Sequence, residues 1–287
     1  MSGLLTLTSM ERTSYILNGG LLNAATVVLD PVGSPCEFKH FGGSHRVNRL
    51  FLQSFPGQTF FQSIYTFDWG ELEVRDVTLL DRALFQHNGG TVRHTGLLTM
   101  AGGTWQAKPG TQVFGQLQVA RSAQNSNSSL SLPLSPCTVR FQASRGQPWE
   151  TNASLFIRNW AGSLAGRGQH QVIFGRAPGG ITAQQLAQIR FLDPVGQLPG
   201  QYAATELVNG EIVPAVEAEA LPGVSIAKLS YGLVLTWPVG YTLQSSTNAD
   251  GPFEDVLKQF QTVPNDSGQA AVYFPLADRA RLYRLRK

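Results

Sequence analysis

Four segments of this chain superimpose without gaps: YILNGGLL from Tyr15, FKHFGGSH from Phe38, YTFDWGEL from Tyr65 and FQHNGGTV from Phe85. Each opens on an aromatic residue and places glycine five positions later, at Gly20, Gly43, Gly70 and Gly90. Twelve residues after each aromatic stand Val27, Leu50, Val77 and Leu97, and fourteen after stand Leu29, Leu52, Leu79 and Thr99. The aromatics are 23, 27 and 20 residues apart. That is the period of solenoid repeats, whose units cannot bury an apolar face alone and must stack on one another.

Each unit reads as two short β segments around a glycine-rich turn, because aromatic and β-branched residues suit strands and paired glycines permit positive φ. A shortened fifth unit is expected over residues 100–119, with Phe114, Leu117 and Val119 as its apolar side chains. The Leu-x-x-Leu-x-Leu-Asn signature of leucine-rich repeats is absent, which leaves a parallel β-helix or related β-solenoid. Composition agrees: charged residues make up 14% of the 287-residue chain, well below the roughly 25% of an average soluble domain, which argues against a Lys/Glu-laced helical protein.

Within this frame, the position two residues after the aromatic holds Leu17, His40, Phe67 and His87. A site filled half the time by Leu or Phe is a packing position, so His40 and His87 are expected to be semi-buried side chains of the stack and not metal ligands. His45 and His94 sit at other offsets. One unit is acidic, with Asp68, Glu71, Glu73, Asp76 and Asp81 within fourteen residues. Asp68, Glu71, Glu73 and Asp76 are the candidate acidic cluster, open to a calcium or sugar site on a solenoid face but read in preference as a solvated strand face and turn. Glu71 and Glu73 share one side of a strand, whereas glycoside hydrolysis needs its carboxylates on opposite sides of a bond. No metal site is assigned: Cys36 and Cys137 are a hundred residues apart, open to a disulfide or to two buried thiols.

Further along, residues 121–135 read as a polar loop and an alternating strand, and CTVRFQAS and ASLFIRNW as two more strands. A short helix is expected near 182–190, about two turns long, with Thr182 and Gln185 as a capping box and Leu186 and Ile189 on one face. GQYAATELVNGEIVP returns to strand and turns at Asn209-Gly210, a strong hairpin signal. From Val224, six strand-like runs separated by turn residues suggest a small antiparallel sandwich. Its Trp237 and Tyr283 are read as core anchors in preference to a sugar-stacking platform. The expected fold is all-β: a right-handed parallel β-helix-like solenoid over 1–222 followed by an antiparallel β-sandwich over 223–287.

Residues 155–214, and above all Asn159-Trp160-Ala-Gly162-Ser163-Leu164-Ala-Gly166 with the helix that follows, resemble the segment ending the β-strand repeats of secreted bacterial autotransporter-associated and PEP-CTERM-type surface proteins. The upstream Gly-Gly repeats are similar to the repeats of the same proteins, so the resemblance spans roughly 15–214. It implies a secreted or cell-surface passenger, and it supplies no catalytic residues. The chain departs from the family in lacking a Val-Pro-Glu-Pro anchor, a terminal apolar helix and a membrane barrel. The C-terminal region resembles sandwich modules appended to many secreted bacterial proteins.

The common enzyme and cofactor signatures are absent: no Gly-x-Ser-x-Gly, P-loop, dinucleotide fingerprint or His-Glu-x-x-His. No cofactor is therefore expected. Seventeen Arg against five Lys are scattered, and a net charge of +3 is no clustered basic face, so nucleic acid is not an expected partner. No run approaches the roughly 18 apolar residues of a membrane span, and no signal peptide is visible at the start. The expected function is a structural or adhesive element, secreted or on the cell surface, whose partner is an extracellular polysaccharide or cell-surface component. The alternatives are a polysaccharide lyase or hydrolase on the same helix, or carbohydrate binding by the C-terminal module.

Overall fold

The computed structural model describes residues 3–9, 13–32, 34–54, 62–123, 125–197 and 199–215, and the segments 225–229, 232–238, 242–246, 253–256, 263–264, 269–275 and 282–286. The chain divides into two compact units, Met1–Val216 and Glu217–Lys287. The boundary expected at 222 lies outside the described residues.

The first unit begins with β1 (Leu4–Ser9), β2 (Thr13–Leu17), β3 (Leu21–Pro31), β4 (Cys36–His40) and β5 (Ser44–Gln53). It continues through β6 (Ser63–Phe67), β7 (Glu71–Leu80), β8 (Leu84–His87), β9 (Thr91–His94) and β10 (Leu97–Ala101). Then come β11 (Thr104–Gln106), β12 (Gly110–Phe114), β13 (Gln116–Val119), β14 (Asn127–Ser131) and β15 (Cys137–Phe141). It ends with β16 (Ser154–Arg158), β17 (His170–Phe174), the helix α1 (Ala183–Leu186), β18 (Ile189–Leu192), β19 (Gln201–Glu206) and β20 (Glu211–Pro214). Successive turns of chain stack in parallel, β2-β4-β6-β8-β11-β14-β16-β18 on one face and β1-β3-β5-β7-β10-β13 on another. This is the β-solenoid that the repeat demands.

Stacking turns each frame position into a column. Tyr15, Phe38, Tyr65, Phe85 and Trp105 lie ring on ring, with centroids 4.9, 4.7, 4.9 and 4.0 Å apart. Those spacings match the roughly 4.8 Å between paired strands, so every turn hands the next one a face to bury. Trp105 corrects the expectation of a shortened fifth unit: from it, Gly110, Leu117 and Val119 fall at the full set of offsets. Phe114 belongs instead to a second column with Phe141 and Phe174, at 5.3 and 5.1 Å. The glycine column is required twice over. Gly43 and Gly70 have φ of 80° and 97°, and a Cβ on Gly70 would sit 2.2 Å from the Gly43 carbonyl oxygen one turn away.

The aliphatic columns also correct the sequence frame. Val77 pairs with Leu98 and Leu79 with Met100, so Leu98 and Met100, and not Leu97 and Thr99, are the buried residues. The cause is a corner. In β3, β5 and β7 one strand runs through it, whereas the fourth turn breaks there into β9 and β10 at Thr95-Gly96. The extra residue is held by Asp76, whose Oδ1 accepts the Leu97 N–H at 3.0 Å. Gly115 continues the corner below Gly96, where a Cβ would stand 1.8 Å from the Gly96 carbonyl oxygen.

Beyond β13 no strand continues its face among the described residues. Residues 142–150 cross there instead: Ser144 Oγ accepts the Leu117 N–H at 2.9 Å and Trp149 Nε1 donates to the Leu117 carbonyl at 3.0 Å. Helix α1 follows with the expected capping box between Thr182 and Gln185. It is one turn long where about two were expected, and Ile189 opens β18, because Gln185 turns inward to donate to the carbonyls of Ser144 and Gln147 at 3.1 and 2.8 Å. The stack is finished by the β19-β20 hairpin around Asn209-Gly210. β19 pairs antiparallel with β18 and β20 antiparallel with β17, which occupies edges that would otherwise stay open.

The second unit holds two antiparallel sheets. One is built from β21 (Ser225–Leu229), β22 (Gly232–Pro238), β25 (Val263–Pro264) and β26 (Gln269–Pro275), and the other from β23 (Thr242–Ser246), β24 (Glu254–Asp255) and β27 (Leu282–Arg286). Trp237 is 1% exposed, a core side chain that offers no face to a sugar.

Candidate functional site

The polar groups of the first unit separate into an inner set, sealed in the stack, and an outer set on the strand faces. The inner set is led by histidines. His40 and His87 are fully buried on either side of Phe67, with ring centroids 4.7 and 5.4 Å from it, deeper than the semi-buried packing site the repeat predicts. Burial lowers the pKa of His40 and pushes those of His45, His87 and His94 down to about 3, 4 and 4. A charged imidazole there would lose its hydration with little to replace it.

Neutral rings fix the proton positions. His40 Nε2 must donate to the Gly43 carbonyl at 3.3 Å, so its Nδ1 accepts from Tyr65 Oη, also at 3.3 Å. Tyr65 Oη in turn accepts from His45 Nδ1 at 2.8 Å. In His94 the Nδ1 accepts the Gly115 N–H at 3.1 Å, which leaves the proton on Nε2. Gln112 donates to the Lys108 carbonyl, so its Oε1 faces a protonated His87 Nδ1 at 2.9 Å. The Nε2 atoms of His45, His87 and His94 are buried without a partner among the described residues. These groups join turn to turn, and their burial keeps them from any dissolved substrate.

Cys36 and Cys137 are both free and buried. Cys36 donates to the Leu7 carbonyl at 3.5 Å, and Cys137 receives the Gln112 amide at 3.7 Å. Burial pushes the Cys137 thiol up to about 11 and raises that of Cys36, where Asp30 adds to the effect. Neither is a poised thiolate.

Asp68, Glu71, Glu73 and Asp76 lie partly or fully exposed, in the turn before β7 and along it. Asp68 sits in the turn before β7, its Oδ1 accepting from Asn88 Nδ2 at 2.8 Å. Glu71 is exposed at the start of β7, in register with Ser44 and Thr91. Glu73 pairs with Arg46, Oε2 to Nε at 2.9 Å, and Asp76 pairs with Arg75 at 2.9 Å. Asp81, in a turn at φ 46°, is remote from them along the strand. The four candidate carboxylates thus run from the turn along one strand, three of them with separate partners.

What the outer face does gather is arginine. A depression of about 410 Å³ is lined by Arg46, Glu73, Arg75 and Arg93, with Asn48 and Thr95. Across the corner, a second of about 490 Å³ is lined by Arg49, Asp76 and Phe51, with Thr78, Leu97 and Thr99. Asp68 and Glu71 line neither. The sequence frame does not single out Arg46 and Arg49, although the signal is present: eight residues after Phe38, Tyr65 and Phe85 stand Arg46, Glu73 and Arg93, and eleven after Phe38 and Tyr65 stand Arg49 and Asp76. Reading the outward columns as closely as the inward ones would have found them.

Among the described residues no group of three metal-ligating side chains comes together, and no helix is long and apolar enough to cross a membrane. No family model, curated protein or solved structure matches the chain.

Proposed function

We propose that the chain is a secreted or cell-surface β-solenoid that acts as a structural or adhesive element without catalysis, in keeping with its resemblance to bacterial surface passengers. The observation that carries this reading is the dispersal of Asp68, Glu71, Glu73 and Asp76, of which three are engaged by separate neighbours. A general acid and base need to face one bond from two sides, whereas a display surface needs only stable, hydrated side chains on a rigid stack. The test is a screen of the full chain against soluble polysaccharides, with calcium and again with chelator, reading both binding and release of new reducing ends. Binding without release is the expected result.

One observation favours a second reading, a polysaccharide lyase or hydrolase: Glu73 shares a depression with Arg46, Arg75 and Arg93. Product release lost in Glu71→Gln and Glu73→Gln would establish it and overturn the first.

A further inference from the structure

We propose that the outer face of the second to fourth turns binds an acidic polysaccharide laid obliquely across the corner, with Arg49 and Arg93 meeting its anionic groups. The proposal rests on the adhesive reading above and names the ligand class. Four guanidinium groups line the two depressions against two carboxylates. Both carboxylates are spoken for, Glu73 by Arg46 and Asp76 by Arg75. Arg49 and Arg93 are exposed and, although opposite Asp76 and Glu73 in register, form no ion pair among the described residues, since those carboxylates turn to Arg75 and Arg46, so they are the charges open to an outside partner.

Their placement selects the kind of anion. Arg49 lies in β5 opposite Asp76 and Arg93 in β9 opposite Glu73, the two strands that flank β7, so they stand two strand spacings apart along the stack, about 9.6 Å, and three residues apart along the strand across the corner, about 10 Å. A nucleic-acid strand carries a charge roughly every 3.4 Å and would leave most of its phosphates unmet. A sugar chain with charges on only some residues suits two isolated cations better. The remaining lining fits the same chemistry. Asn48, Thr78, Thr95 and Thr99 offer amide and hydroxyl groups to hydroxyls, while Phe51, the one aromatic in either lining, offers an apolar face to sugar C–H groups.

The test is calorimetric titration of the full chain with hyaluronate oligomers, which carry a carboxylate on every second sugar, with the same oligomers fully methyl-esterified, and with a single-stranded oligonucleotide, at low and at moderate salt. Arg49→Gln and Arg93→Gln are the decisive variants, since neither strands a paired carboxylate; Arg140→Gln, exposed on β15, is the control. Charge-assisted hydrogen bonds of ordinary strength predict a loss of about tenfold in affinity for each variant and about a hundredfold for both together. Unchanged melting temperatures would show that folding is intact, and the esterified oligomers are expected not to bind. Failure of the acid form to bind, equal binding of the ester, indifference to both substitutions, or preference for the oligonucleotide would each overturn the proposal. Release of products in the same samples would instead overturn the non-catalytic reading and leave the groove assignment standing.

Discussion

The early and late turns of the solenoid hold the same stack by different means. From β2 to β13 each turn repeats the chemistry of the last: aromatic over aromatic, glycine over glycine, aliphatic over aliphatic. From β14 onward apolar columns such as Phe114, Phe141 and Phe174 continue, but the face of β13 is closed by single polar side chains, as Ser144, Trp149 and Gln185 tie an irregular crossing to the strand and helix on either side of it. A repeated apolar column tolerates exchange between similar residues, whereas each polar latch serves one place and has no substitute nearby. The same contrast appears in the histidines. His45, His87 and His94 of the early turns each leave a buried nitrogen unpartnered among the described residues, while His170 in β17 accepts from Ala161 N–H at 2.9 Å and donates to the Ser135 carbonyl at 3.0 Å.

Acid should break the early turns first, and by the largest amount. The folded pKa values of His45, His87 and His94 lie at about 3, 4 and 4, below the ordinary 6.5. Between those limits the unfolded chain binds more protons than the folded one, so stability falls as pH drops through 6.5 toward 4. Linkage puts the loss between pH 7 and pH 5 at roughly 2 kcal/mol per histidine. Urea midpoints at the two pH values measure it, and His87→Phe, which restores the alternative already present at Phe67, should flatten the dependence.

Next in size is Phe85→Ala, which removes a ring from the middle of the aromatic column and should cost about 4 kcal/mol by the usual cavity penalty. In the late turns Gln185→Ala should cost about 2 kcal/mol, since it takes the partner from the Gln147 carbonyl and from the Thr182 N–H; chemical denaturation reads both. The smallest effect belongs to Trp69→Ala. That indole is 70% exposed, and its loss should move stability by no more than about 0.5 kcal/mol, as a thermal melt would show.

This contrast also explains what could be read in advance. The aromatic and glycine columns, the Thr182–Gln185 capping box, the Asn209-Gly210 hairpin and six strands of the second unit all follow from local pattern. The slip from Leu97 to Leu98 does not, because the corner at Gly96 depends on Asp76 one turn away. Nor does the length of α1, which Gln185 settles through partners about forty residues earlier. At the candidate site the carboxylates were visible as a run in one strand. Their partners were not, because Arg46 and Arg49 come from the preceding turn and are brought alongside only by stacking register.

Register is therefore the claim on which both the fold and the arginine groove depend, and oxidative cross-linking tests it most directly. The structure pairs Thr78 with Thr99 on the outer face, whereas a gapless frame would pair Thr78 with Leu98. Paired strand positions fall within the Cα range a disulfide accepts, roughly 4.4 to 6.8 Å. Mild oxidation of Thr78→Cys/Thr99→Cys should give a quantitative intramolecular bond, mapped by peptide mass, while Thr78→Cys/Leu98→Cys should stay reduced. The opposite pattern would contradict the corner at Gly96, and with it the alignment of Arg49, Asp76 and Arg93.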